Sequence, residues 1–141
     1  MPRYAARRVL PATVEGVWAV LADPARFPEW WPGVEAVDPG RRGLVPGGLW
    51  RVSGGGGDRM SIRPRPQMVG QLLVIEAVPH SRVVFQLMAE QIDVELELAP
   101  AEDDQAEATL VVDAPRFRGV GRAFPSEVLA RLAALVRPAA A

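Results

Sequence analysis

The sequence predicts an α+β fold in which a seven-stranded antiparallel sheet curls around a long C-terminal helix. The clearest indication is the segment from Ile92 to Leu98, where apolar and acidic residues alternate as in a half-buried strand. Similar short runs, separated by glycine and proline, recur between residues 34 and 113, and their close spacing favours antiparallel pairing. The one long helical pattern comes after these runs and is the element available to cover the sheet.

The first two predicted elements are a strand and a helix. Residues 3–10 are compatible with a strand that Pro11 ends. Thr13 is a favourable N-cap, and Glu15 places a negative charge in the first turn, where the helix dipole favours it. The helix then carries one apolar stripe at helical spacing: Val14, Val17, Trp18 and Leu21.

A shorter second helix is predicted between the first and second strands. Asp23 can cap it, and Pro24 suits a first helical position, where a missing N–H costs nothing. Phe27, Trp30 and Trp31 are its large aromatic residues. A purely structural role would pack one of these tryptophans between helix and sheet and leave the other half-exposed. We favour such a role for Trp31, whereas Trp30 is equally consistent with it and with a ligand contact at the pocket entrance.

Six further strands are predicted in the middle of the chain. In the last three of these strands, every side chain expected to face inward is apolar, so the carboxylates of these strands are expected to face solvent. His80 lies in a turn between two of these strands and is expected to be exposed and without a functional role. The predicted strands are Val34–Asp38, Leu49–Ser53, Met68–Val78, Arg82–Glu90, Ile92–Ala99 and Ala106–Asp113.

The last predicted element is a helix near residues 124–137. Ser126 is its candidate N-cap, and Glu127 lies in the first turn. No internal repeat or long linker divides the chain, so residues 1–141 are predicted to form one domain. The apolar stripe of this helix consists of Val128, Leu129, Leu132, Leu135 and Val136.

Composition excludes several kinds of site. The 141 residues include no cysteine, no lysine and one histidine, which excludes thiol or lysine nucleophiles and metal sites with several histidine ligands. We therefore expect no metal and no cofactor. A net charge of −1 gives no electrostatic case for a nucleic-acid partner. The sequence has no apolar run long enough to span a membrane and no secretory signal, so a cytoplasmic protein is expected.

The segment from Leu10 to Val37, LPATVEGVWAVLADPARFPEWWPGVEAV, resembles the N-terminal signature of the START/SRPBCC superfamily. Within it, the similarity is to the polyketide cyclase/dehydrase-like branch, and the later segments EAVPHSRVVFQL and SEVLARLAAL also fit. The glycine-rich stretch Gly54–Pro66 departs from that pattern. The resemblance implies a helix-grip fold with a pocket between the sheet and the long helix. Members of the superfamily include lipid and quinone carriers, cyclases and domains that bind other proteins.

Together with the residues, this resemblance predicts a protein that binds a small hydrophobic or amphipathic ligand, such as a lipid, a quinone or a polyketide-like molecule. The alternatives are a polyketide cyclase- or dehydratase-like enzyme that uses the same pocket, and a protein-interaction domain. A homodimer is also left open. Large apolar side chains on the predicted inner faces are expected to line the pocket: Phe27, Trp30, Trp50, Met68, Phe85, Leu87, Ile92, Val94, Leu110, Phe117 and Phe124.

Few residues are available for catalysis, and whether the protein is an enzyme is left open. A catalytic role requires an acid or a base that faces the pocket. Strand alternation places Arg8 and Glu76 on the same side as buried neighbours, which makes them candidates for that position. A region rich in arginine between Arg41 and Arg65 suits either a carboxylate or phosphate group or a solvated sheet edge. We expect a pocket of about 300–1,000 Å³, the usual size of a ligand site.

Overall fold

The computed structural model describes residues 2–54, 70–115 and 120–136. Within them, seven strands form one antiparallel sheet together with three α-helices, which confirms the predicted fold class. The strands are β1 (Arg3–Leu10), β2 (Ala36–Asp38), β3 (Leu49–Ser53), β4 (Gly70–Val78), β5 (Arg82–Leu87), β6 (Ile92–Ala101) and β7 (Gln105–Asp113). The helices are α1 (Val14–Leu21), α2 (Phe27–Trp30) and α3 (Phe124–Val136), and short 3₁₀ turns cover Pro24–Arg26 and Glu102–Asp104.

The strand order is β1-β7-β6-β5-β4-β3-β2, so the first strand of the chain pairs with the last. At the start of β1, Arg3 Nε donates a hydrogen bond of 2.9 Å to Asp113 Oδ1 on β7. This hydrogen bond raises the pKa of the Arg3 guanidinium above its usual value. Opposite residues on β6 and β7, such as Leu96 and Leu110, share the inner face and are buried, as their alternation predicts.

A β-bulge in β4 overturns one of the sequence predictions. The register between β4 and β5 shifts between Val74 and Glu76, so the side chain of Glu76 turns to the outer face rather than the inner one. There its carboxylate lies 3.3 Å from Arg82 Nε, and the same guanidinium lies within 3.1 Å of Glu95 and 3.0 Å of Glu97. Glu76 therefore belongs to a charge cluster on the outside of the sheet.

The N-terminal helix caps form as the sequence predicts. Thr13 Oγ1 accepts a hydrogen bond of 3.1 Å from the backbone N–H of Gly16 at the start of α1. Asp23 Oδ1 accepts one of 3.1 Å from the backbone N–H of Ala25, although the turn it caps is a 3₁₀ turn that precedes α2. These two caps fix the direction in which the chain enters α1 and α2.

The predicted N-cap of α3 is wrong, because the helix begins earlier. α3 starts at Phe124, whose side chain is buried, and Glu127 N already donates to Ala123 O at 3.1 Å. Pro125 is tolerated there because the first turn needs no N–H from it. Ser126 lies inside that turn and is exposed.

No helix among the described residues is long and apolar enough to cross a membrane.

Candidate functional site

Six aromatic side chains meet where α2 packs against the sheet and α3. Phe27 lies at their centre, with its ring centroid 4.9 Å from that of Trp30 and 5.8 Å from that of Phe85, both nearly perpendicular. Edge-to-face pairs of this kind contribute about 0.5–1.5 kcal/mol each beyond the area they bury. We call this group the aromatic cluster: Phe27, Trp30, Trp31, Trp50, Phe85 and Phe124.

Trp31 fills the space between the sheet and α3. It follows the last residue of α2, and its backbone N–H donates to Phe27 O at 2.9 Å, which closes the short helix. Its side chain is completely buried, with ring centroids 5.4 Å from Phe85 of the sheet and 5.2 Å from Phe124 of α3. Trp30 is only 2% exposed as well, so the expectation that one of the two tryptophans is half-exposed is wrong.

A small cavity borders the aromatic cluster. About 10 Å³ of it is open to the centre of a water molecule, which is room for about one water. This is far below the expected size of a ligand pocket, because Trp31 and Phe124 pack against each other between this part of the sheet and α3. The lining consists of Leu21, Phe27, Trp30, Leu44, Trp50, Leu72, Val83 and Phe85.

The wall of this cavity that contains Leu44 is the one nearest to solvent. Leu44 is partly exposed, whereas the other lining residues are at most 3% exposed. Leu44 belongs to the segment 39–48 between β2 and β3, which Trp50 holds through a hydrogen bond of 2.9 Å from its Nε1 to Gly43 O. Leu44 is therefore the most exposed residue of the wall.

The polar groups at the aromatic cluster are indole N–H donors. Trp50 Nε1 has the acceptor just described, but Trp30 Nε1 and Trp31 Nε1 are buried and have no hydrogen-bond partner among the described residues. An unpaired buried donor costs about 1–3 kcal/mol. None of the side chains found to line the cavity is ionisable.

Comparison with known proteins identifies the family. A family model described as polyketide cyclase/dehydrase and lipid transport matches residues 1–139. The chain belongs to this family. The resemblance found in the sequence is thereby confirmed. No curated protein matches the chain.

Solved structures share the fold of this polyketide cyclase/dehydrase family member. Protein CV1439 from Chromobacterium violaceum superimposes with a TM-score of 0.67 at 21% identity, covering 99% of this chain and 100% of that one. DynU16, described as a putative protein in the dynemicin biosynthetic locus, gives 0.65 at 19% identity over 95% of this chain and 46% of its own. The Aha1 dimer from Colwellia psychrerythraea gives 0.64 at 15% identity over 96% of this chain and 93% of its own.

In this family member, the residues predicted to line a pocket divide into three groups. Phe27, Trp30, Trp50 and Phe85 line the cavity. Leu87, Ile92, Val94, Leu110 and Phe124 are buried elsewhere in the core and are not among its lining residues. Met68 and Phe117 lie outside the described residues. Ligand contact by any of these eleven residues stays a prediction.

Four residues that line the cavity were not singled out from the sequence. Leu72 and Val83 face inward by strand alternation, and Leu21 belongs to the apolar stripe of α1, so each carried a signal for burial. Leu44 carried none, because it lies in the irregular segment between β2 and β3. Only the tertiary structure brings it to the cavity.

The candidates for catalysis lie away from the cavity. Glu76 faces outward at the bulge. Arg8 is exposed on the edge strand β1, where it lines a separate open groove of about 260 Å³ between β1 and α3 together with Ala6, Arg7, Ser126 and Leu129. His80 is exposed in the turn between β4 and β5, with its ring centroid 6.4 Å from that of Trp18 on α1. The predicted position of His80 in an exposed turn is confirmed. The glycine-rich stretch Gly54–Pro66 lies, apart from Gly54, outside the described residues.

Proposed function

We propose that this family member binds a small hydrophobic or amphipathic molecule in the cavity beside the aromatic cluster. The observation that supports this is the composition of the wall, which among the described residues is entirely apolar and aromatic. Such walls are typical of ligand sites, since burial of apolar surface contributes about 25 cal/mol per Å². Four aromatic rings, those of Phe27, Trp30, Trp50 and Phe85, belong to this wall.

The ligand enters by displacing the segment that carries Leu44. The cavity has room for about one water, so a larger molecule needs a wall to move. The walls formed by β3, β4 and β5 belong to a continuous hydrogen-bonded sheet and are costly to open. The segment 39–48 is irregular, and Leu44 on it is already partly exposed.

An enzyme of the cyclase or dehydratase kind is the second candidate, since the family description includes both activities. That chemistry needs a general acid or base at the substrate. No described residue that lines the cavity supplies one, and Glu76 and His80 are on the outer surface. The composition of the cavity therefore favours binding over catalysis.

Titration with the neutral fluorescent probe N-phenyl-1-naphthylamine tests the proposal. We expect saturable binding, and at a probe concentration about 100 times Kd a gain of about 2.7 kcal/mol in the free energy of unfolding. Phe85→Leu removes an aromatic ring from the wall, and we expect it to weaken binding about two- to tenfold. Phe124→Leu makes the same change at a core residue that is not among those lining the cavity. Although the sequence predicted a ligand contact for Phe124, the proposal expects this variant to leave Kd unchanged.

Two results would contradict the proposal. Weaker binding in Phe124→Leu but not in Phe85→Leu would place the ligand beside α3 instead. An absence of saturable binding, with an unchanged melting temperature, would reject the binding function and favour a protein-interaction domain.

A further inference from the structure

Two tryptophans that line the same cavity differ in how their N–H groups are satisfied. Trp50 Nε1 donates to Gly43 O at 2.9 Å, whereas Trp30 Nε1 is buried and has no partner in the described part of the chain. Buried donors in folded proteins are almost always paired. The side chains found to line the cavity carry no oxygen, so they offer Trp30 no acceptor.

The acceptor that suits this donor is a neutral oxygen on the ligand. An indole N–H only donates, so its partner must accept. A carboxylate or phosphate is disfavoured, because burying an anion without a counter-ion is costly and no cationic side chain is among the lining residues. A carbonyl or hydroxyl oxygen on an otherwise apolar body meets both conditions.

Building on the proposed function, we propose that Trp30 makes the cavity selective for neutral, otherwise apolar compounds that carry a carbonyl or hydroxyl oxygen. A hydrocarbon of the same shape fills the space but leaves the N–H of Trp30 unpaired. An oxygen-bearing ligand satisfies it, and sites built to hydrogen-bond a ligand reject analogues that lack the group.

Trp31 provides a matched control for this proposal. Its Nε1 is also buried and unpartnered in the described residues, and its ring lies 6.0 Å from that of Trp30 at 90°. Trp31 is not among the residues that line the cavity. Trp30→Phe and Trp31→Phe thus remove the same atom from neighbouring positions, and only Trp30 is among the residues that line the cavity.

The experiment compares indane with 1-indanone, which differ by one CH₂ replaced by C=O. Their Kd values are measured by displacement of N-phenyl-1-naphthylamine from the full chain, in the wild type and both variants. We expect the ratio of the indane Kd to the 1-indanone Kd to fall about three- to tenfold in Trp30→Phe and to change less than about twofold in Trp31→Phe. Each ratio is taken within one variant, so a general loss of stability cancels.

An unchanged ratio in Trp30→Phe, or an equal fall in both variants, would overturn this inference and leave the proposed function intact, because both ligands still bind. Failure of both compounds to displace the probe from the wild type would overturn the inference, whereas failure of the probe itself to bind would overturn the proposed function.

If a variant does not fold, a measurement on the wild-type protein still tests the inference. The indole N–H proton resonance of Trp30 should move downfield with 1-indanone but not with indane, and the absence of that difference would also overturn the inference.

Discussion

The hydrogen bond between Trp50 and Gly43 is the contact whose removal tests how a ligand enters. Trp50 Nε1 donates to Gly43 O at 2.9 Å, and the next residue, Leu44, separates the cavity from solvent. Gly43 O also accepts from Val45 N at 3.0 Å. Trp50→Phe therefore removes one anchor of the segment 39–48 without leaving the carbonyl unpaired, and it keeps an aromatic ring in the wall.

The size of the effect follows from the single bond that is lost. One partly buried hydrogen bond contributes about 0.5–1.5 kcal/mol net, which corresponds to about a two- to twelvefold larger open population of the segment. Because opening precedes entry, the association rate constant should rise by the same factor. The far end of the segment stays fixed, since Val74 N donates to Gly48 O at 2.8 Å.

Stopped-flow mixing with excess N-phenyl-1-naphthylamine measures that rate constant directly. Phe85→Leu is the control, because it alters the wall of the cavity and leaves the bond to Gly43 in place. We expect faster association in Trp50→Phe and an unchanged association rate constant in Phe85→Leu. Association in a folded Trp50→Phe variant at or below the wild-type rate would refute entry past Leu44.

Two further predictions concern stability, measured by urea denaturation. Thr13→Ala removes the acceptor for Gly16 N and should lower the free energy of unfolding by about 1 kcal/mol, whereas Thr13→Ser keeps a hydroxyl and should retain most of that stability. An equal loss in both variants would contradict the cap. Arg82→Met leaves three glutamates of β4 and β6 without their shared cation and should cost about 1 kcal/mol at low ionic strength. That loss should shrink in about 1 M salt, because these groups are partly exposed and screened, and a salt-independent loss would contradict the electrostatic origin.

The sequence by itself determined the architecture, because periodic patterns report which face of an element is buried. The alternation from Ile92 to Leu98 required a half-buried strand, and the stripe after Pro125 required a helix against it. The cap at Thr13 could also be predicted, since it involves residues only three positions apart. Local interactions of this kind depend only on neighbours in the chain and can be predicted without knowledge of the rest of the fold.

Only the tertiary structure decided what faces the cavity. The bulge in β4 reversed the side on which Glu76 lies, because one extra residue changes the parity of a strand whose period is two. Leu44 reached the cavity through a hydrogen bond between Gly43 and Trp50 in an irregular segment, which no periodicity describes. Trp31 and Phe124 filled the space expected to be open, since the volume left inside a core depends on how side chains from distant elements interdigitate.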